Sequence, residues 1–304
     1  MNNAVLLVTF NRPDTTAAVF DAIRMARPPR LYVAADGPRP GRAGEKELCR
    51  QARQCIDRVD WMCDVKTLFR EENMGCGPAV SSAIDWFFSY EEQGIILEDD
   101  CVAGKDFFPF CDEMLEYYFH DTRVMHISGN NFLPESFHYD ASYYFSRYPL
   151  SWGWATWRRA WNHYDFKMKN YQSFKRENII VDIFPGDSRT QKRWLEIFDL
   201  TYAGDSNFNT WDFQWVYANF CQNGLSVTPR VNMVKNIGVQ KSHDSSDRIM
   251  LLAAEELGAI IHPEFMLADS AADSYIFKLC LARINLLSRI LSKLNKKLFG
   301  KRCY

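Results

Sequence analysis

The chain has no CxxC pair, and its nine cysteines are scattered and odd in number. That excludes a disulfide scaffold and makes reduced thiols the expectation. No stretch is long and apolar enough to span a bilayer. Met1 to Val8 has no basic region ahead of its short apolar run, so no signal peptide is expected and the cytoplasm is the expected location. Neither sign of charge is in excess. A formal net charge of -2 removes any general demand for nucleic acid. Internal repeats and low-complexity linkers are also missing. What remains is 304 residues with 47% hydrophobic content, enough for one large α/β domain or a domain with an appendage. The 15% aromatic content is high and gathers between Tyr143 and Tyr217, where rings could meet a ligand.

The first hundred residues alternate strand and helix patterns. Ala4 to Phe10, Arg30 to Ala35, Cys63 to Phe69 and Gly94 to Leu97 read as strands. Helical patterns fall between them, over about Thr16 to Met25, Glu45 to Val59 and Ala79 to Tyr90. Asp14 or Thr15 is a candidate cap for the first. This alternation predicts a parallel sheet with right-handed crossovers. Later elements are a helix from Phe107 to His120, strands near Arg123 and Tyr143, and an aromatic, basic helix start over Trp152 to Trp161. Helices follow from Arg189 to Tyr202 and from Trp211 to about Cys221, and then an extended segment from Ser226 to Val234.

The stretch that organises the chain is Gly94-Ile95-Ile96-Leu97-Glu98-Asp99-Asp100. Three carboxylates at the end of a buried strand repel one another unless a cation shares the site. In open α/β sheets, ligands bind beyond the carboxyl ends of the strands. Hard oxygen ligands suit Mg2+ or Mn2+, which draw part of their shell from phosphates. The plain alternative is an acidic turn that caps the next helix.

Asn11-Arg12-Pro13 after the first strand, Asp36-Gly37-Pro38 after the second, Asn73-Met74-Gly75 before a helix, and Glu98-Asp99-Asp100 form an ordered series. The series resembles the nucleotide-diphospho-sugar transferases of GT-A fold, and more narrowly the N-acetylglucosaminyltransferase I branch and its bacterial relatives. In that branch the acid motif reads Glu-Asp-Asp. Gly153-Trp154 and Trp211-Asp212 stand where it has Gly-Trp and Trp-Asp segments. The likeness covers Ala4 to His243. It departs at Trp154-Ala155-Thr156-Trp157, which puts the acceptor in doubt rather than the donor.

The resemblance implies a Rossmann-like α/β GT-A fold with a mostly parallel sheet. The catalytic domain would be 1–250, with a nucleotide-sugar half (1–128) and an acceptor half (129–250). It implies a metal-dependent, inverting hexosyl- or N-acetylhexosaminyltransferase that moves sugar from a UDP-sugar to a cell-surface glycan or lipid-linked acceptor. Asp100 would hold Mn2+ or Mg2+, with His243 as a further ligand to metal or diphosphate. Asp99 would meet the ribose or assist the metal shell, Glu98 would meet the donor sugar and Asp36 the uracil N–H. Arg12 would lie at the nucleotide, Asn73 and Gly77 would line the pocket, and Trp154 would stack on sugar or pack as core. Asp212 would be the general base, taking the acceptor proton as its oxygen attacks the anomeric carbon. Its aromatic neighbours Trp211, Phe213 and Trp215 could raise its pKa. Each residue has a plainer reading: a turn for Gly75 and Gly77, a surface arginine for Arg12, a first-turn helix acid for Asp212.

Two other functions stay open. A nucleotidyltransferase that makes a nucleotide-sugar would normally carry a Gly-rich, lysine-bearing phosphate loop after the first strand, and Asn11-Arg12-Pro13 stands there instead. A non-catalytic carbohydrate- or membrane-binding protein would need neither the acids nor a base. The extension 251–304 ends in apolar positions at helical spacing from Ile276 to Leu298, with basic residues such as Lys278, Arg283, Lys293 and Lys297 and no acid after Ser274. It reads as a basic amphipathic helix that attaches the chain peripherally to an anionic membrane surface. Packing on the domain, or on a second copy in a homodimer, is the alternative.

Overall fold

The computed structural model describes residues 1–204, 209–238 and 253–281. Its first part runs β1 (Ala4–Thr9), α1 (Pro13–Ala26), β2 (Arg30–Ala35), α2 (Glu45–Arg53), β3 (Asp64–Phe69), α3 (Cys76–Tyr90), β4 (Gln93–Glu98) and β5 (Cys101–Ala103). Next come α4 (Phe107–Tyr117), β6 (Val124–Ser128), β7 (Tyr143–Ser146), β8 (Trp154–Trp157) and α5 (Arg158–Trp161). The last elements are α6 (Tyr171–Arg176), α7 (Ile180–Ile183), α8 (Ser188–Tyr202), α9 (Asp212–Cys221), β9 (Leu225–Pro229), β10 (Val234–Asn236) and α10 (Ser270–Ile276).

Eight strands form one sheet in the order β3-β2-β1-β4-β8-β6-β9-β7. β3, β2, β1 and β4 are mutually parallel, and β8 and β7 run against their neighbours. The fold is thus mixed α/β with a mostly parallel, Rossmann-like sheet. Between β1 and β4 the order reverses. β2 and β3 extend one way from β1, and the chain returns to add β4 on the other side. That reversal opens a crevice beyond the carboxyl ends of the two strands.

Side chains alternate along β1 and β4 and so feed two cores. Val5, Leu7, Ile95 and Leu97 meet Val19, Phe20 and Ile23 of α1 and Phe107 to Leu115 of α4. Ala4, Leu6 and Ile96 meet Val80, Ala83, Ile84 and Phe87 of α3. Burial on both faces explains why these strands read as unbroken apolar runs. A third, aromatic core joins α6 to α9 and receives Ile276 of α10 with Phe277 and Leu281 of the π-helical turn that follows.

Several local expectations change. α1 begins at Pro13, with Arg12 in the cap position, and neither Asp14 nor Thr15 caps it through a side chain. Proline at the first helical position costs nothing there, because that N–H has no intrahelical partner. The helix expected from Glu45 stops at Arg53 and tightens into a 3-10 turn over Gln54–Arg58. The expected helix start over Trp152 to Trp161 divides into strand and helix. Trp154–Trp157 pairs antiparallel with β4 and with β6, and only Arg158–Trp161 is helical. An inner place in the sheet overrides local preference. Most of the basic tail, 282–304, lies outside the described residues. Among the described residues no helix is long and apolar enough to cross a membrane.

Candidate active site at the carboxyl ends of the central strands

A cavity of about 410 Å³ fills the crevice. Its walls come from the end of β1 (Val8 to Phe10, Arg12), the turn after β2 (Asp36, Arg39), the turn after β3 (Arg70, Asn73, Gly75), the start of α3, the end of β4 (Glu98, Asp99) and Asn209. The short connections after each parallel strand put these polar residues at one rim. The structure therefore brings together Arg12, Asp36, Asn73, Glu98 and Asp99 of the expected site.

In this structure Arg12 sets a cation between two of the acids. Arg12 Nη2 bonds Asp99 Oδ1, and Arg12 Nη1 bonds Asp100 Oδ2 at 2.9 Å. Burial opposes the Arg12 charge, but Asp99 and Asp100 outweigh it and hold its pKa above the ordinary value. Asp99 is 2% exposed and also accepts from the Phe10 N–H at 3.2 Å. Burial still lifts its carboxyl above the usual range, against the pull of Arg12. Glu98 is pushed up to about 8, by burial first and then by Asp100, Asp99 and Asp212. At neutral pH it is therefore largely protonated and can donate a hydrogen bond.

Asp100 faces away from the cavity toward a second small sheet. β10 pairs antiparallel with β5, and the Ile237 N–H donates to the Asp100 carbonyl at 2.8 Å. A β-carbon on Gly238 would lie 2.0 Å from Asp100 Oδ2, so only glycine lets this segment close over the acid. Mn2+ or Mg2+ would have to displace Arg12 from Asp100 to bind at these acids. Arg12 holds Asp100, and among the described residues no three ligating side chains converge on a point. His243, the other expected ligand, lies outside the described residues.

The Asp36 carboxylate is already engaged within the protein. Its carboxylate accepts from the Gly37, Met74 and Gly75 N–H groups and from Asn73 Nδ2, at 2.8 to 3.2 Å. Four donors fill the acceptor sites of a carboxylate. Asp36 thus shapes the 73–75 turn, and a base N–H would have to displace one of those bonds. Asn73 points inward to Asp36 and to the Gly37 carbonyl at 2.9 Å. Gly77 sits beneath Asn209 and Thr210; a β-carbon there would lie 2.9 Å from the Thr210 carbonyl oxygen.

Asp212 opens α9; it is not among the residues that line the cavity, but it is close enough for its charge to act on Glu98. Burial raises its carboxyl, opposed by the Thr210 hydroxyl and the Phe213 N–H. Trp154 does not reach the cavity. It is fully buried in β8, stacked on Trp211 at 5.3 Å and on His126 at 5.0 Å. Stacking on sugar is therefore withdrawn for this ring. Trp157 is core as well. Arg158 and Arg159, which sequence left open for phosphate, donate instead to carbonyls of Phe88, Glu91, Tyr118, Phe119, Asp121 and Val124. They border a separate cavity of about 390 Å³ with His120 and Glu92, at the amino end of β4.

Sequence reading missed Asn209, Arg39 and Arg70. Arg39 pairs with Glu45. Arg70 bonds the Ser82 hydroxyl at 2.9 Å and, among the described residues, forms an ion pair with no carboxylate. An arginine at the end of a strand, next to the acids of Glu71-Glu72, gives no sign in sequence of facing a crevice.

No protein-family model and no curated protein sequence matches the chain. Among solved structures it is similar to HddC from Yersinia pseudotuberculosis, at 10% identity and a TM-score of 0.32, over 52% of this chain and 77% of that one. It is also similar to UDP-glucose pyrophosphorylase complexed with UDP-glucose, at 8% identity and a TM-score of 0.37, over 82% of this chain and 96% of that one. The apo form of that enzyme gives a TM-score of 0.36 over the same shares. Scores this low carry no argument about the site.

Proposed function

We propose that the chain is an enzyme of nucleotide-sugar chemistry, and that it transfers the sugar to an acceptor hydroxyl with Asp212 as general base. The observation that carries this reading is the convergence of Arg12, Glu98 and Asp99 on one cavity at the reversal between β1 and β4, with Asp212 near enough for its charge to act on Glu98. The volume suits a small ligand. Arg12 is poised to exchange a carboxylate for a phosphate, which a guanidinium binds in the same forked way. Arg70 offers a second cation to the anionic part of the donor. Protonated Glu98 donates a hydrogen bond to a sugar or phosphate oxygen. Asp212, in its carboxylate form, accepts the proton of the attacking hydroxyl. Mn2+ or Mg2+ carries over with a condition: Asp100 must give up Arg12 to take the ion. UDP-sugars are the favoured donors, and a glycan or lipid-linked acceptor is the favoured partner.

The second reading is nucleotidyl transfer, which the pyrophosphorylase named above makes worth testing. The β1–α1 connection speaks against it. That link is Phe10 to Arg12 with Pro13 starting the helix, and it has neither the glycines nor the lysine of a phosphate-cradling loop. The experiment is product analysis with a panel of UDP-sugars. Release of UDP, rising with an acceptor, supports sugar transfer. Formation of UTP and sugar 1-phosphate, only when pyrophosphate is added, supports nucleotidyl transfer and overturns the first reading.

A further inference from the structure

The short segment Asn209-Thr210 joins the cavity to the base. Asn209 lines the cavity, and its Oδ1 accepts the Gly77 N–H at 3.3 Å in the first turn of α3. A β-carbon on Gly75 would lie 2.7 Å from Asn209 Nδ2, and one on Gly77 would lie 2.9 Å from the Thr210 carbonyl, so the segment is seated directly on the donor side. From there the Thr210 hydroxyl donates to Asp212 Oδ1. The Phe213 N–H donates to the same oxygen at 2.9 Å. Among the described residues Oδ2 takes no hydrogen bond, so it is the oxygen left for an incoming proton.

We propose that Thr210 is a positioning residue for Asp212: its hydroxyl engages Oδ1, orients the carboxylate and leaves Oδ2 to accept the proton of the attacking hydroxyl. The proposal rests on Asp212 being the base. A capping role for Thr210 does not account for the geometry. Trp211, not Thr210, holds the cap position of α9, and the Asp212 N–H reaches Thr210 Oγ1 only at 3.5 Å. A hydroxyl has one proton to donate, and Thr210 gives it to the carboxylate. Among the described residues, the charged and titratable groups facing Asp212 are Glu98 from β4, Cys76 from the start of α3 and Tyr164, whose hydroxyl donates to the Trp211 carbonyl at 3.2 Å. None of them bonds Asp212, so the carboxylate's orientation falls to Thr210 and to its own helix.

The test uses the full chain and UDP release from UDP-glucose and UDP-N-acetylglucosamine with water as acceptor. Thr210→Val should lower kcat about tenfold or more, the scale of one hydrogen bond to a charged group, with KM changed less than twofold. Thr210→Ser, which keeps the hydroxyl, should restore kcat to within about threefold. An unchanged kcat in the valine variant, or a serine variant as slow as valine, overturns the proposal. Thr210→Ala, with less bulk against α3, replaces valine if that variant does not fold. Asp212→Asn separates the two levels. Full activity in that variant sinks the base reading itself, whereas a slow Asp212→Asn beside a normal Thr210→Val sinks only the role of Thr210.

Discussion

Arg12→Ala removes the cation from a buried carboxylate, and its cost can be worked from the structure. Asp99 would keep the Phe10 N–H at 3.2 Å and a long contact to the Thr9 hydroxyl at 3.5 Å, with no other ion pair among the described residues. Removing one member of a buried ion pair costs about 3–5 kcal/mol. The Arg12 side chain is 41% exposed, so water already shares its charge, and about 2 kcal/mol is the discounted figure. For a chain of this length, whose unfolding entropy is about 2.1 cal/mol/K per residue, that lowers the melting temperature by about 3 °C. The loss should depend on pH. Burial already lifts the Asp99 carboxyl, and losing Arg12 lifts it further. Its folded pKa then lies above the unfolded one, so the folded state holds the proton over a wider range and stability falls as pH rises through that window. The deficit should therefore be smaller at pH 5 than at pH 8. Urea unfolding of both proteins at the two pH values reads it directly. A variant as stable as the parent at pH 8, or an equal deficit at both, would refute the reasoning.

Mn2+ should raise the melting temperature of Arg12→Ala more than that of the parent, because the variant leaves Asp99 and Asp100 without a cation; equal shifts in a thermal melt would argue that the acids do not bind the ion. Asp212→Asn should lower turnover by about a hundredfold while donor affinity by calorimetry holds, and a rate within a few-fold of the parent would leave Asp212 a helix-terminal acid. Asp273 of α10 accepts from the Ser146 hydroxyl at 2.6 Å and pairs with Arg147, yet burial pushes it up to about 6. Its folded value exceeds the ordinary value of about 3.9, so its contribution to stability falls as pH rises from about 4 to 6, and Asp273→Asn should flatten that part of the unfolding profile. The full chain should sediment with anionic vesicles in a salt-sensitive way and lose this when truncated after Leu281, and indifference to vesicles would end the membrane proposal.

The parallel half of the sheet was legible because its strands are buried on both faces and its turns carry Pro, Gly and Asn. The rim residues followed from those turns. Less legible was anything set by pairing across the chain. Trp154 sits in a strand because β4 and β6 flank it, which no local pattern of Trp-Ala-Thr-Trp reveals. Asp36 was marked as a site acid, but its partners Met74 and Gly75 come from another turn. The acids asked for a cation, and the answer stood 87 residues away in Arg12, which sequence placed near the nucleotide without its carboxylate partners.

The central claim is that the crevice between β1 and β4 is a nucleotide-sugar site. Calorimetric titration with UDP-glucose and UDP-N-acetylglucosamine tests it, using the parent chain, Arg70→Ala in the crevice and His120→Ala in the cavity at the amino end of β4. The account predicts that at least one of the two binds the parent, with affinity about tenfold weaker or worse in Arg70→Ala and unchanged in His120→Ala. Binding by neither, or binding that survives Arg70→Ala and fails in His120→Ala, would contradict it.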